Sequence, residues 1–205
     1  MKVKVCGMRE PDNIQDILSG GPDYIGFIFY DKSKRYVSEQ TLSYLQEAET
    51  TAKKVGVFVN EDLATLIKLA KKYNLDFVQL HGNESPDYVG QVAQADISII
   101  KAFNIHEEFD WSNLEKYLPD VAYFLFDTAS AQHGGSGKKF DWTLLEKYTL
   151  DKPFFLSGGI SLADAHSCTT LNHPSLETLD INSRFETKPG YKDKEQVLQF
   201  LKTVR

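Results

Sequence analysis

Residues 54–80, KVGVFVNEDLATLIKLAKKYNLDFVQL, hold the pattern from which the fold of this chain can be predicted. The stretch opens with alternating valines around a phenylalanine and closes on a second short apolar run, Phe77–Leu80, and both runs are typical of β-strands. Between them, apolar residues repeat with a period near 3.6 over residues 63–70, which predicts an amphipathic helix. A strand, a helix and a strand in this order form a right-handed unit whose two strands lie parallel.

The same unit recurs along the whole chain. Strands are predicted at Val3–Cys6, Tyr24–Phe29, Lys54–Val59, Phe77–Leu80, Ser98–Ala102, Ala122–Phe126, Pro153–Leu156 and Thr178–Ile181. Eight units of roughly 25 residues each predict a closed (β/α)8 TIM barrel, a single α/β domain over residues 1–205. An open flavodoxin-like sheet is the alternative, but it needs only about five strands and leaves three of these runs unexplained.

Charge and composition argue against several classes of protein. The chain has 29 acidic and 23 basic side chains, a formal net charge of −6 and no Lys- or Arg-rich stripe, so we expect no nucleic-acid partner. No apolar run approaches the roughly 18 residues that span a bilayer, so we expect no membrane partner. Cys6 and Cys168 are too few for a disulfide scaffold and predict a reduced, cytoplasmic setting. Neither lies at metal-ligand spacing from another cysteine or a histidine, so no metal site is predicted.

Polar residues and glycines follow most of the predicted strands. In a parallel barrel the carboxyl ends of all strands open on one rim, and active sites form there. The candidate site residues are Cys6, Arg35, Gln79, His81, Asp127, Gly158, Gly159, Asn182, Ser183 and Arg184. Their common position predicts an active site at this rim.

Cys6 ends the first predicted strand, and Asp127 directly follows the sixth. A cysteine in a strand is most often a small buried hydrophobic residue, and a carboxylate at a strand end often caps the following loop. A thiol and a carboxyl group that face each other across the rim would instead make a pair of general base and general acid. The residues alone leave both interpretations open.

The seventh and eighth loops carry a pattern typical of phosphate binding. Gly158 and Gly159 would let the backbone approach a ligand closely, and free amides at a helix start favour an anion. Asn182, Ser183 and Arg184 would add amide, hydroxyl and guanidinium donors beside them. A tight turn explains the two glycines equally well, so the predicted phosphate site depends on their position after the seventh strand.

The stretch HGGSGKK, residues 133–139, superficially resembles a nucleotide-binding P-loop. The G-x-x-x-x-G-K-[ST] spacing is absent, and Lys139 stands where serine or threonine would be needed. A glycine-rich loop that closes over a bound ligand is the better interpretation.

Taken together, these segments resemble the phosphoribosylanthranilate isomerase family of tryptophan biosynthesis. The resemblance is carried by KVCGMR (4–9), VGVFVN (55–60), VQLHG (78–82), FDT (126–128), GGSGKKFDW (134–142), LSGGI (156–160), LDINS (179–183) and PGYKD (189–193). The segments occur in the family's order over nearly the whole chain, which makes the set specific.

The resemblance implies a TIM barrel that performs an Amadori rearrangement. N-(5-phosphoribosyl)anthranilate, an aminoaldose, becomes 1-(2-carboxyphenylamino)-1-deoxyribulose 5-phosphate, an aminoketose. The resemblance further implies that Cys6 is the general base and Asp127 the general acid. Because a free thiol is only slightly ionised at neutral pH, we expect a cationic or helix-end environment that lowers the pKa of Cys6.

The resemblance also implies how the substrate is bound. Arg35 is the expected partner of the anthranilate carboxylate, by a bidentate contact or by stacking on the ring. Gln79 and His81 lie where they could contact the substrate, although a structural role for His81 is also open. No cofactor is implied, because the redox change is internal to the substrate. The only expected partner is this small phosphorylated molecule, and a monomer and a homodimer both remain open.

Two positions depart from the family pattern. Arg184 stands where glycine is usual, and Lys34 stands where proline is frequent. The histidine-pathway isomerase that performs the same rearrangement is a competing interpretation, but it resembles two fused half-barrels with an aspartate where Cys6 stands. A catalytically silent phosphate-binding barrel is another, and the presence of both Cys6 and Asp127 argues against it.

Overall fold

The computed structural model describes residues 1–47, 50–128 and 142–205. Eight parallel strands follow one another around a closed barrel in chain order, and the last is hydrogen-bonded to the first. They are β1 (Lys2–Val5), β2 (Tyr24–Ile28), β3 (Lys53–Phe58), β4 (Phe77–Leu80), β5 (Ser98–Ile105), β6 (Tyr123–Thr128), β7 (Phe154–Ser157) and β8 (Leu176–Ile181). The predicted α/β barrel is therefore confirmed.

Helices connect the strands on the outside of the barrel. The α-helices of the described ranges are α1 (Pro11–Leu18), α2 (Glu39–Glu47), α3 (Leu63–Lys72), α4 (Pro86–Ala93), α5 (Ala165–Thr169) and α6 (Lys194–Val204), and the 3₁₀ segments are Trp111–Tyr117, Trp142–Lys147, Leu162–Asp164 and Ser183–Phe185. The helix predicted within residues 54–80 is α3, and Asp62 caps it by accepting the N–H of Thr65 at 2.9 Å.

Successive side chains of each strand point to opposite sides of the barrel wall and therefore lie in two different environments. One set packs under the helices and forms the main core. The other set points into the barrel, where the rings of Tyr24, Phe77, Tyr123 and Phe155 fill the amino-terminal end with centroid distances of 5.0–5.9 Å. Towards the carboxyl ends the interior becomes polar, and this polar end holds the candidate site.

A small hairpin follows β8 and was not predicted. Its antiparallel strands are β9 (Glu186–Lys188) and β10 (Tyr191–Lys192). Pairing between β9 and β10 brings the side chains of Glu186 and Lys192 together at the carboxyl-terminal rim of the barrel, where the two form an ion pair of 2.6 Å.

No helix within the described ranges is long and apolar enough to cross a bilayer. The same ranges hold no group of three or more His, Cys, Asp or Glu side chains arranged to bind a metal ion. The glycine-rich stretch 133–139, interpreted above as a loop that closes over a ligand, lies outside the described residues.

Candidate active site

A line of polar contacts crosses the mouth of the barrel at the carboxyl ends of the strands. Asp127 Oδ2 lies 3.2 Å from His81 Nε2, and His81 Nδ1 lies 2.8 Å from Gln79 Nε2. Gln79 Oε1 accepts a hydrogen bond from Lys4 Nζ at 2.8 Å, and Lys4 Nζ also donates to Asp180 Oδ1 at 3.0 Å. Three of the predicted site residues are thus joined to a buried ion pair.

Cys6 lies directly after β1 and is buried, with 4% of its surface exposed. Its N–H donates to Ile181 O at 2.9 Å, which continues the pairing of β1 with β8 by one residue. The thiol packs against Gly26 of β2, where an added Cβ would lie 2.8 Å from Cys6 Sγ. The absence of a side chain at Gly26 therefore leaves the space that the thiol occupies.

Burial raises the pKa of the Cys6 thiol. The positive charges of Lys4 and Lys192 act in the opposite direction because they favour the thiolate, whereas the negative charge of Asp180 raises the pKa further. The cationic neighbours that the sequence led us to expect are present, but they do not outweigh burial. The expectation of a lowered pKa was therefore wrong, and the resting form of Cys6 at neutral pH is the thiol.

Arg35, in the loop after β2, is held by Glu186 of the hairpin. Arg35 Nε and Nη2 both donate to the Glu186 carboxylate, at distances between 2.6 and 3.0 Å. Lys192 Nζ donates to the same carboxylate at 2.6 Å and to Asn182 Oδ1 at 2.8 Å. Burial opposes the charge on Glu186, but Arg35 and Lys192 outweigh it and lower the pKa of the carboxyl group. The bidentate edge of Arg35 is thus occupied, while Nη1 makes no hydrogen bond within the described ranges.

The loops after β7 and β8 frame the predicted phosphate site. Gly158 and Gly159 adopt φ angles of 100° and 69°, in the region that favours glycine. Among the described residues, an added Cβ on Gly159 would meet no atom within 4 Å, so the backbone conformation and not crowding there favours glycine. Ser183 and Arg184 are exposed, and neither side chain pairs with another residue of the described ranges.

A second buried ion pair fixes the turn that carries His81. Lys101 Nζ lies 3.1 Å from Glu84 Oε2 and donates to Gly82 O at 2.9 Å. Glu84 Oε1 in turn accepts the N–H groups of Asn60 and Gly82, at 2.9 and 3.1 Å. Because these contacts join the ends of β3, β4 and β5, they restrict the backbone on which His81 stands.

Four charged residues of the mouth were missed in the sequence. Lys4 and Asp180 lie within strands, two positions before Cys6 and Asn182, and strand residues two apart point to the same side. That alternation could have identified both as interior charges. Glu186 and Lys192 reach the mouth through the hairpin, and no comparable signal identifies them.

Comparisons with known proteins identify similar chains over this whole architecture. Residues 3–203 match the family model described as N-(5'phosphoribosyl)anthranilate (PRA) isomerase. An N-(5'-phosphoribosyl)anthranilate isomerase from Parabacteroides distasonis is 42% identical over 208 aligned positions, which cover 100% of this chain and 93% of the relative.

Two crystal structures are also similar, and each match covers 100% of this chain and 98% of the solved chain. One is a phosphoribosyl anthranilate isomerase in complex with reduced 1-(o-carboxyphenylamino)-1-deoxyribulose 5-phosphate, 30% identical with a TM-score of 0.82. The other shows mutually generated monomers of the dimeric enzyme from Thermotoga maritima, also 30% identical, with a TM-score of 0.81.

Proposed function

The chain belongs to the N-(5'-phosphoribosyl)anthranilate isomerase family, and on that premise we propose that Cys6 and Asp127 carry out the family's reaction as general base and general acid. The chain is then an isomerase of tryptophan biosynthesis that converts N-(5-phosphoribosyl)anthranilate to 1-(2-carboxyphenylamino)-1-deoxyribulose 5-phosphate. The observation that carries the proposal is the convergence of the Cys6 thiol and the Asp127 carboxyl group on one polar barrel mouth, linked through Lys4, Gln79 and His81.

In the first step, Asp127 protonates the ring oxygen of the ribose. The bond between C1′ and that oxygen breaks, and the nitrogen lone pair forms a C1′=N double bond. The result is an open-chain Schiff base in its protonated form. Asp127 suits this step because it lies near the carboxyl end of β6 and is itself only half-buried, so a substrate in the mouth could reach its carboxyl group.

In the second step, Cys6 first ionises and its proton passes to solvent, and the resulting thiolate removes the proton at C2′. The electrons of the C–H bond form a C1′=C2′ double bond, and the C1′=N electrons return to nitrogen, which gives a neutral enolamine. Tautomerisation moves a proton from the C2′ hydroxyl to C1′ and completes the aminoketose. Each positioned proton transfer contributes roughly 10²–10⁴-fold in rate.

Arg35 suits the anthranilate end of the substrate. Since Glu186 occupies its bidentate edge, we propose that Arg35 stacks its planar face on the aromatic ring and directs Nη1 to the carboxylate. Gln79 is nearly fully buried behind His81, so of these two we propose that His81 is the one that contacts substrate.

The phosphate end of the substrate suits the loops after β7 and β8. We propose that backbone amides at Gly158 and Gly159, with the Asn182, Ser183 and Arg184 side chains, hold the phosphate group. The Asn182 oxygen accepts from Lys192, and this leaves its amide nitrogen to donate.

Residues 1–205 would act as one catalytic domain on this small phosphorylated molecule, without a cofactor, because no electrons enter or leave the substrate. A cytoplasmic setting and either a monomer or a homodimer are consistent with this proposal, and one similar structure comes from a dimeric enzyme.

Fluorescence of the anthranilate group tests the proposed activity. Adding the protein to N-(5-phosphoribosyl)anthranilate should speed the loss of substrate fluorescence in proportion to protein concentration. Tight binding of the reduced aminoketose phosphate with no accelerated decay would instead identify a catalytically silent barrel.

Arg184→Gly tests the eighth loop, because glycine is the usual residue there in the family. If Arg184 binds the phosphate in both substrate and transition state, its loss should raise KM roughly tenfold and leave kcat within about twofold. Arg205→Ala removes an equally exposed arginine that pairs with Asp23 at the opposite end of the barrel, and it should change neither constant. An unchanged KM in Arg184→Gly would remove Arg184 from the phosphate site.

A further inference from the structure

Lys4 is a charged residue that the proposed reaction does not use. Its side chain is completely buried inside the barrel, and its ammonium group donates to Gln79 Oε1 at 2.8 Å and to Asp180 Oδ1 at 3.0 Å. Burying a charge is costly unless it is paired and hydrogen-bonded. Both conditions are met here, so the ammonium group keeps its charge in the middle of the candidate site.

The charge on Lys4 fixes the orientation of the Gln79 amide. An ammonium group has only donors, so it must face the amide oxygen, and the amide NH₂ is left to point the other way. The atom on that side is His81 Nδ1, at 2.8 Å from Gln79 Nε2. Because the NH₂ group is donor-only, Nδ1 must accept, and it therefore carries no proton.

The same logic continues to Asp127. An imidazole without a proton on Nδ1 is neutral and carries its single proton on Nε2. His81 Nε2 lies 3.2 Å from Asp127 Oδ2, so the positive end of the Nε2–H dipole is close to the carboxyl group. Three contacts, through Gln79 and His81, thus connect the Lys4 ammonium group to Asp127.

Lys4 also faces Cys6. The Cys6 Sγ atom and the Lys4 Cε atom both lie within 3.2 Å of one point, the position of an added Cβ on Gly26. The charged groups that act on the thiol or respond to it are Lys4, Lys192, Arg35 and Asp180. Of these, Lys4 has the largest influence, and its positive charge favours the thiolate.

We propose that Lys4 is a positioning residue for both halves of the acid–base pair. Through Gln79 it holds His81 as the Nε2–H tautomer, and by its positive charge it supports ionisation of Cys6. This inference rests on the proposed roles of Cys6 and Asp127. It is tested by the tautomer of His81 and by the ionisation curve of the Cys6 thiol. Neither measurement depends on turnover, so the inference about Lys4 can fail while the proposed roles of Cys6 and Asp127 stand.

The first test is nitrogen NMR of protein labelled with ¹⁵N-histidine, with the His81 signal identified by its loss in His81→Gln. We expect a neutral ring protonated on Nε2 in the wild-type protein at pH 7–8, because Gln79 occupies Nδ1. A ring protonated on Nδ1, or on both nitrogens, would overturn the proposal. This measurement uses the wild-type protein, so it does not depend on whether a Lys4 variant folds.

The second test compares Lys4→Met with the double variant Lys4→Met/Asp180→Asn. The double variant is included because removing Lys4 alone leaves a buried carboxylate without its partner, which is strongly destabilising. In both variants, we expect His81 to become a mixture of the Nδ1–H and Nε2–H tautomers, because Lys4 no longer fixes the orientation of the Gln79 amide. Alkylation of Cys6 by iodoacetamide, read by peptide mass spectrometry, should shift to higher pH by about one unit, which is roughly tenfold less thiolate at neutral pH.

Ile17→Ala is the control for lost stability, since Ile17 is a fully buried core residue near the end of α1 and is not part of the mouth. It should also lose stability but leave the His81 tautomer and the Cys6 alkylation curve in place. If the Lys4 variants retain both the wild-type tautomer and the wild-type curve, Lys4 has only a structural role and the proposal is wrong.

Discussion

Replacing Cys6 with serine should lower kcat by at least about two orders of magnitude while the barrel stays folded. Serine fills the same space against Gly26, so the packing inside the mouth is preserved. A hydroxyl group ionises far less readily than a thiol, so the base that removes the C2′ proton is lost. The measurement is the initial rate of anthranilate fluorescence decay at saturating substrate, with circular dichroism and a melting curve to verify folding.

Cys168→Ala provides the matched control, because Cys168 is the other buried cysteine and belongs to α5, outside the mouth. It should retain turnover close to wild type. Turnover close to wild type in Cys6→Ser would remove Cys6 from the role of general base.

Replacing Asp127 with asparagine should cause a loss of similar size, at least about two orders of magnitude in kcat. The amide has nearly the same shape and its oxygen can take the place of Asp127 Oδ2 beside His81 Nε2, so the line of polar contacts is preserved. It has no acidic proton to give to the ring oxygen, so ring opening should become slow. Steady-state kinetics should therefore show a reduced kcat with a much smaller change in KM.

Asp193→Asn makes the same chemical change at a side chain that caps α6 and takes no part in the line of polar contacts. Asp193 caps α6 by accepting the N–H of Gln196 at 3.1 Å, and asparagine is an equally good cap. This variant should turn over like the wild type. A wild-type rate in Asp127→Asn would mean that another group opens the ring.

Much of the fold could be predicted because the residue pattern of each strand and helix is visible within its own short segment of sequence. The alternation in β3 and the helical period in α3 are visible within residues 54–80, and repetition of that unit is enough to predict closure. The candidate residues Cys6, His81 and Asp127 could be predicted because position after a strand determines position on the rim.

The buried charged residues of the mouth were harder to predict from the sequence than the strands and helices. Lys2-Val3-Lys4-Val5 looks like a strand with one solvated face, yet Lys4 is completely buried while Lys2 is exposed. Alternation determines which side a residue faces, but whether that side is water or the interior of a closed barrel depends on all eight strands. The lowered pKa expected for Cys6 was wrong for a related reason, since burial by distant segments outweighs the cations beside it.

The role of the hairpin after β8 could not be predicted either, because it depends on contacts between segments far apart in the sequence. Arg35 was predicted to meet the anthranilate carboxylate by a bidentate contact or to stack on the ring. Glu186, about 150 positions later in the chain, occupies its bidentate edge, and Lys192 pairs with the same Glu186 carboxylate. Short strands of this kind, β9 and β10, leave almost no periodic pattern in the sequence.

A crystal structure with the reduced aminoketose phosphate bound would test the central claim most directly. We predict that Cys6 Sγ lies about 3–3.5 Å from C2′ and that a carboxyl oxygen of Asp127 lies about 2.6–3.2 Å from the hydroxyl that was the ring oxygen. The central claim would be contradicted by a ligand bound at the mouth with either side chain turned away from these atoms.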